Sequence, residues 1–263
     1  MSSPSPLTIL ITGANRGIGL GLVSLHLSQP STTVIASVRS HSSASHLHSL
    51  PKAPSSRLIV IALDIASTES IKTGIASLPN DHGITSLDVV IANAGIAGTT
   101  PKLRDATTLD IQNYINVNAF GQLELYKAVF PLLKRHAGST SSQVQPKFIY
   151  MSSAGGSLQS MSTIVPLSAY GASKALANFL FKWLALEETG DDKVLVWCQH
   201  PGMVATEMGK AGFDPLQEQG IDLSAHIISV EHSTKGIKGV IESATLEHTN
   251  GKFLGPDGRG LPW

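Results

Sequence analysis

One cysteine in 263 residues, Cys198, rules out any disulfide within the chain, and no apolar run approaches the roughly 20 residues needed to cross a bilayer. Neither sign of charge is in excess. Nineteen Lys and Arg balance nineteen Asp and Glu, so no global field draws the chain to nucleic acid or anionic lipid. Met1 to Pro6 lack both the basic start and the apolar stretch of a secretory leader and read as a frayed tail. Together these absences lead to the expectation of a soluble, cytoplasmic protein with no nucleic-acid or membrane partner. Cys198, inside the apolar run Val194 to Cys198, reads as a small core residue. His41, His46 and His48 lie close together, but the segment carries no cysteine or acidic residue, so no metal site is expected.

What is present is apolar residue in strand-sized blocks. With 42% hydrophobic and 14% charged residues the chain can bury a large core. Leu7 to Ile11, Thr33 to Val38, Leu58 to Leu63, Leu87 to Ala92, Lys147 to Met151, Val194 to Trp197 and Lys252 to Leu254 are rich in Val, Ile and Leu and read as strands buried on both faces. Between them Gly17 to Ser28, Ser67 to Leu78, Thr108 to Lys134, Ala169 to Glu188 and His232 to Thr245 have helical patterning. Alternation of this kind predicts an α/β fold, a doubly wound parallel sheet of about seven strands flanked by helices, in one domain over residues 7–263. The Ser- and Pro-rich stretches His41 to Pro54 and Gly138 to Pro146 are too short for domain linkers and read as surface loops.

Directly after the first strand comes Thr12-Gly13-Ala14-Asn15-Arg16-Gly17-Ile18-Gly19, opening an amphipathic helix. Gly13, Gly17 and Gly19 permit a tight turn whose N–H groups, with the helix N-terminus, suit a pyrophosphate, as in a Rossmann-type dinucleotide site. A site for NAD usually places an acidic side chain after the second strand to bind the ribose hydroxyls, but here that position is Arg39. A guanidinium would pair with a 2′-phosphate, and Arg16 could reach the same group, so NADPH/NADP+ is the expected cofactor.

Tyr170-Gly171-Ala172-Ser173-Lys174 begins a helix and puts Tyr170 and Lys174 four residues apart, on one face. An ammonium about 5 Å from a phenol would, at an effective dielectric near 20, favour the phenolate by about 3 kcal/mol, roughly two pKa units. That would suit a tyrosine giving a proton to a carbonyl oxygen. Met151-Ser152-Ser153-Ala154 closes the fifth strand, where a serine could hold the same oxygen. Successive strand residues face opposite ways, so one of Ser152 and Ser153 points into the site.

Taken together these segments resemble the short-chain dehydrogenase/reductase family over essentially the whole chain. The resemblance rests on Thr12 to Gly19, Asp64-Ile65, Asn93-Ala94-Gly95, Val117-Asn118-Ala119, Ser152-Ser153, Tyr170 to Lys174, and Pro201-Gly202 followed by Val204 and Thr206, in family order. It implies that Gly13, Asn15, Arg16, Gly17, Ile18 and Gly19 line the cofactor, that Asp64 and Ile65 contact its adenine, and that Asn93, Ala94 and Gly95 pass near its ribose. It further implies that Asn118 holds a water in a proton relay, Ser153 polarises the substrate carbonyl, Tyr170 is the acid, and Lys174 holds the nicotinamide ribose. Pro201, Gly202, Val204 and Thr206 would place the nicotinamide. Ser153 precedes Tyr170 by 17 residues, a few more than the family usually shows, and the added part near Gln159 to Pro166 is expected to bulge beside the substrate. Gly-Ala-x-Arg-Gly-Ile-Gly, Leu87 to Ala94 and the ending Leu261-Pro262-Trp263 are most similar to fungal norsolorinic acid ketoreductases and sniffer-like carbonyl reductases. That likeness implies a small-molecule ketone, aromatic or polyketide-derived.

Met208, Phe213, Leu216, Ile221 and Leu223 lie between Thr206 and His232 and suggest a flexible substrate lid over about 207–232, with a helical pair on the domain edge as the other reading. The apolar surface of the Tyr170 helix, including Leu176, Phe179, Leu180 and Trp183, is wider than one stripe, which implies a homodimer or homotetramer. Three functions remain open at this stage: an NADPH-dependent ketone or aldehyde reductase, an enzyme using the same site for elimination, isomerisation or cyclisation, and an NADPH-sensing regulatory protein.

Overall fold

The chain, in a computed structural model that describes residues 6–137, 145–188, 193–218 and 220–263, alternates strand and helix almost throughout. Its elements are β1 (Leu7–Thr12), α1 (Gly17–Leu27), β2 (Thr32–Val38), α2 (Ser45–His48), β3 (Arg57–Ala62), α3 (Thr68–His82), β4 (Val89–Ala92), α4 (Thr108–Ile115), α5 (Gly121–Ala137), β5 (Lys147–Met151) and α6 (Ser168–Glu187). There follow β6 (Leu195–Gln199), β7 (Met203–Val204), α7 (Glu207–Glu218), β8 (Ile227–Ile228), α8 (Val230–Ser243) and β9 (Phe253–Leu254). The expected tail, apart from Pro6, and most of the expected loop from Gly138 to Pro146 lie outside the described residues.

Seven strands form one parallel sheet in the order β3-β2-β1-β4-β5-β6-β9. Burial on both faces explains their continuous apolar sequences. In β1, Leu10 joins the core on one side of the sheet while Ile9 and Ile11 join the core on the other. The same split separates Val90 from Val89 and Ile91 in β4, and Phe148 and Tyr150 from Ile149 and Met151 in β5. Ile71 and Ile75 of α3, Leu125 and Val129 of α5, and Phe181 of α6 cover the first face; Leu22 and Val23 of α1 and Ile237 and Ile241 of α8 cover the second. Strand order reverses between β1 and β4, which opens a crevice beyond the C-terminal ends of the strands.

Two expectations need correction. The helix read as continuous from Thr108 to Lys134 is broken: α4 ends at Ile115, and a π-helical turn over Asn116–Phe120 precedes α5. Hydrophobic periodicity does not register one extra residue in a turn, but Gly121 explains it. A Cβ there would lie 2.1 Å from the Ile65 carbonyl oxygen, so the chain passes too close to the end of β3 for any side chain. Within the loop read at His41 to Pro54 lie a 3₁₀ turn (His41–Ser43) and the single-turn α2, anchored by the fully buried Leu47. The segment of about 207–232 read as a lid contains α7, anchored by the buried Leu216, and β8, which pairs in parallel with β7 just ahead of the segment.

Candidate active site

The glycine turn leaves β1 at the crevice. Gly19 is required by close approach, since a Cβ there would lie 2.2 Å from the Gly13 carbonyl oxygen and 2.7 Å from Asn93 Nδ2. Asn93 Nδ2 donates to the Thr12 and Gly13 carbonyls at 2.9 and 3.3 Å, and Ala94 N–H donates to Thr12 Oγ1 at 2.9 Å. Gln122 in turn donates to the Ala94 carbonyl at 2.8 Å. The motif at Asn93 to Gly95 therefore braces the glycine turn from the neighbouring strand. Helix α1 begins with no side-chain cap and no acidic residue in its first turn, which leaves its N-terminal amides open to an anion. A narrow turn with glycine at its points of close approach, open amides and an uncapped helix start suit a dinucleotide pyrophosphate.

Arg39 follows β2 directly and is exposed, while Asp64 and Ile65 follow β3, so these three share the outer end of the crevice. Asp64 Oδ1 accepts from Ala66 N–H, and Ile65 is buried. Arg16 does not join them. Its guanidinium pairs with Glu207 at 2.6 Å, and both line a hollow with Gly95, Ile96, Ala97 and Met208. This ion pair bridges the glycine turn and the start of α7. Pro201, Gly202, Val204 and Thr206 form the facing wall: the Pro201 carbonyl accepts from Ser233 Oγ at 2.6 Å, Val204 pairs with Ile228, and Thr206 Oγ1 accepts from Gly209 N–H at 3.0 Å in the first turn of α7.

At the end of β5 the two serines part. Ser152 is buried and donates to Asn178 Oδ1 of α6 at 2.6 Å, while Ser153 is half-buried, accepts from Gly155 N–H at 3.1 Å and lies beside Tyr170, whose phenol its hydroxyl pulls down. Of the two alternatives left by the sequence, the geometry turns Ser153 inward. Lys174, 5% exposed, donates from Nζ to the Met151 carbonyl at 2.8 Å, with Nζ 4.8 Å from the centre of the Tyr150 ring and 5.8 Å from that of Tyr170. Asn118 lies in the π-helical turn, fully buried. Its side chain accepts from Ile96 N–H at 3.0 Å and donates to the Ile96 carbonyl and to Ser173 Oγ, while its own carbonyl accepts from the Tyr150 hydroxyl at 2.9 Å.

Electrostatics here differ from the simple pair read off the sequence. Burial pushes the Tyr170 phenol up; the Ser153 hydroxyl pulls against that, and the Tyr114 phenol adds a little to the rise. The expected lowering by Lys174 is absent, for a physical reason: burial pushes Lys174 itself down to about 7, so near neutrality it is a weak cation. Burial also pushes the Cys198 thiol up, which agrees with an inert core residue.

Several residues of the site gave no sequence signal. Tyr114 of α4 meets the Tyr170 ring edge-on, centroids 6.3 Å apart at 79°. His200, pushed down to about 4 by burial and hence neutral, accepts through Nδ1 from the Ala154 N–H at 3.2 Å, so it steadies the turn carrying Ser153. Asn178 and Gln122 hold backbone or side chains of named motifs. Tyr114, Gln122 and Asn178 lie on helices where sequence patterning predicts only packing, and His200 directly follows β6.

A doubly wound sheet with a glycine turn at its switch point, and a Ser, Tyr and Lys gathered beside it, defines a nucleotide-dependent oxidoreductase architecture. A family model described as short chain dehydrogenase matches residues 7–216, and the chain belongs to that family. It is 50% identical to the short chain dehydrogenase gsfK of Penicillium aethiopicum over 259 residues, covering 98% of this chain and all of the relative. It is 34% identical to the norsolorinic acid ketoreductase nor1 of Dothistroma septosporum, covering 97% and 92%. Among solved structures, the NADPH-bound carbonyl reductase from chicken fatty liver superposes with a TM-score of 0.84 at 28% identity, covering 98% of this chain and 99% of that one. No helix among the described residues is long and apolar enough to cross a membrane.

Proposed function

We propose that this chain is an NADPH-dependent carbonyl reductase acting on an aromatic or polyketide-derived ketone. The observation that carries the reading is the convergence of Ser153, Tyr170 and Lys174 beside the glycine turn, with Lys174 Nζ 5.8 Å from the centre of the Tyr170 ring and the Ser153 hydroxyl near enough to pull the Tyr170 phenol down. A relative named for norsolorinic acid supports the substrate class. Exposed Arg39 after β2, where an acidic residue would favour NAD, supports a 2′-phosphate, as does the NADPH carried by the chicken reductase. When bound, that cofactor supplies the hydride.

In this reading Ser153 holds the substrate oxygen and Tyr170 gives it a proton as negative charge develops. Lys174, with a pKa of about 7, exchanges protons readily at working pH and replenishes Tyr170. The Asn118 carbonyl, with one lone pair used by Tyr150, retains the other for a water linking Lys174 to solvent. The segment from 207 to 232 forms one wall of the substrate crevice as a lid built on α7. Phe179, Trp183 and Leu186, on the side of α6 away from the sheet, are 61%, 54% and 66% exposed, which supports a homodimer or homotetramer measurable by light scattering.

The test follows NADPH absorbance over a panel of aryl ketones with wild type and Tyr170→Phe. Wild type should consume NADPH, and the variant should lose about 10²- to 10⁴-fold in kcat while still binding NADPH. Retained turnover in the variant removes Tyr170 as the acid. Product formed without NADPH consumption would replace reduction by elimination, isomerisation or cyclisation.

A further inference from the structure

Eleven large apolar side chains are exposed among the described residues, and six of them lie on the segments that leave the C-terminal ends of β4, β5 and β6, the end of the sheet where the crevice opens: Leu103 and Leu109 after β4, Leu158, Met161 and Ile164 after β5, and Met208 after β6. The bulge after β5 that carries three of them is held in place at both ends. Gln159 N–H donates to the Trp263 carbonyl at 2.9 Å, and the Pro166 carbonyl accepts from Thr100 N–H at 2.9 Å. An apolar rim of this extent marks a surface covered by a ligand, and a ketone with a single ring placed at Tyr170 would leave most of it in water.

Beside the rim lies a hollow of about 520 Å³, lined by Pro101, Leu109 and Tyr114 with Thr99 and Asn113 among its polar edge. That volume falls within the roughly 300–1,000 Å³ of small-molecule pockets. Tyr114 belongs to both spaces, since the ring that lines the hollow also meets Tyr170 edge-on. We propose that Tyr114 and this hollow form a second subsite, taking the distal ring of a fused-ring aryl ketone whose carbonyl lies at Tyr170, with Thr99 and Asn113 open to a phenolic hydroxyl on that ring. Tyr114 is a specificity-determining residue in this arrangement, contacting the ring system and not the reacting atoms. The inference rests on the carbonyl-reductase reading and narrows its substrate to ketones of two or more fused rings.

Two probes that share the reacting group and differ by one ring test it: 2-hydroxyacetophenone and 2-acetyl-1-naphthol. Wild type should favour the naphthol in kcat/KM by about tenfold, the scale of one well-packed aromatic contact. Tyr114→Ala should bring that ratio near one. So should Leu109→Ser, at a position 76% exposed where substitution spares the fold. Titration of 2-acetyl-1-naphthol against the NADP+-loaded protein, read by tryptophan fluorescence, should show the same loss of affinity in both variants. A wild-type ratio near one, a preference kept by both variants, or naphthol binding indifferent to both substitutions overturns the subsite. If neither ketone is reduced yet naphthol binding falls in the variants, the subsite stands and the reductase reading fails.

Discussion

The two sides of the crevice are built differently. On the cofactor side, Thr12, Gly13, Asn93, Ala94 and Gln122 are tied by hydrogen bonds between side chain and backbone into a braced turn, and Gly19 is fixed by the absence of room for a Cβ. On the substrate side, Leu103, Leu158, Met161 and Ile164 stand exposed on connecting segments and Leu109 in the first turn of α4. In the proposed function the first side would recognise something invariant, a phosphate and two riboses, by its fixed turn geometry. The second recognises something particular by side-chain shape, which a small change of loop sequence alters without disturbing the sheet.

The sharpest way to break this comparison is at the boundary between the sides, where the serines lie. If Ser153 is the oxygen-holding group, Ser153→Ala should reduce kcat by about 10²-fold or more, the scale of losing one donor to a developing oxyanion. Ser152→Ala removes instead a buried bond to Asn178 and should appear mainly as lost stability, about 1–3 kcal/mol in urea melts. Reversal of the two phenotypes would place the wrong hydroxyl in the crevice.

Acid should expose how dry the packing under the far end of α1 is. His26, in the last turn of α1 away from the glycine turn, is 2% exposed, and burial pushes it down to about 4 from 6.5. Between those values the unfolded chain binds a proton that the folded chain refuses, so the stabilising effect is full above pH 6.5 and falls as pH drops toward 4. The loss should amount to about 3 kcal/mol, from a shift of roughly two and a half units at 1.36 kcal/mol each. Urea melts at pH 7.5 and 4.5 measure it, and His26→Leu should flatten the slope relative to wild type. An equal slope in the variant would assign the acid sensitivity to other groups, His200 first among them.

What the sequence made legible follows the same division. Strands buried on both faces announce themselves as unbroken Val, Ile and Leu, so all seven strands of the main sheet stand within about two residues of their expected limits. Asn93 to Gly95 and Tyr170 to Lys174 were legible because backbone approach and helical spacing leave a local pattern. The π-helical turn at Asn116–Phe120 was not, because its cause, the approach of Gly121 to Ile65, joins residues far apart in sequence. Tyr114 and His200 were hidden for the same reason: α4 has to be docked on α6, and β6 on the Ser153 turn, before either ring has a role. The pair of Tyr170 and Lys174 was read correctly in position but not in electrostatics, since the burial of Lys174 depends on the fold and outweighs its charge.

The two arginines carry the smallest effects and the finest distinction. Sequence alone groups Arg16 with Arg39 as cations for one 2′-phosphate, whereas the folded chain turns Arg16 to Glu207 across the opposite end of the crevice. If Arg39 is the reader of that phosphate, Arg39→Asp should weaken NADPH by more than about tenfold and leave NADH within about threefold, by fluorescence titration. Arg16→Ala should then weaken both nucleotides alike, by about two- to fivefold, because its exposed pair with Glu207 holds α7 against the glycine turn without reference to the 2′ position. Glu207→Gln should reproduce that uniform effect. A loss confined to NADPH in Arg16→Ala would mean that the guanidinium leaves Glu207 for the phosphate, and that the charge of the nucleotide decides where it rests.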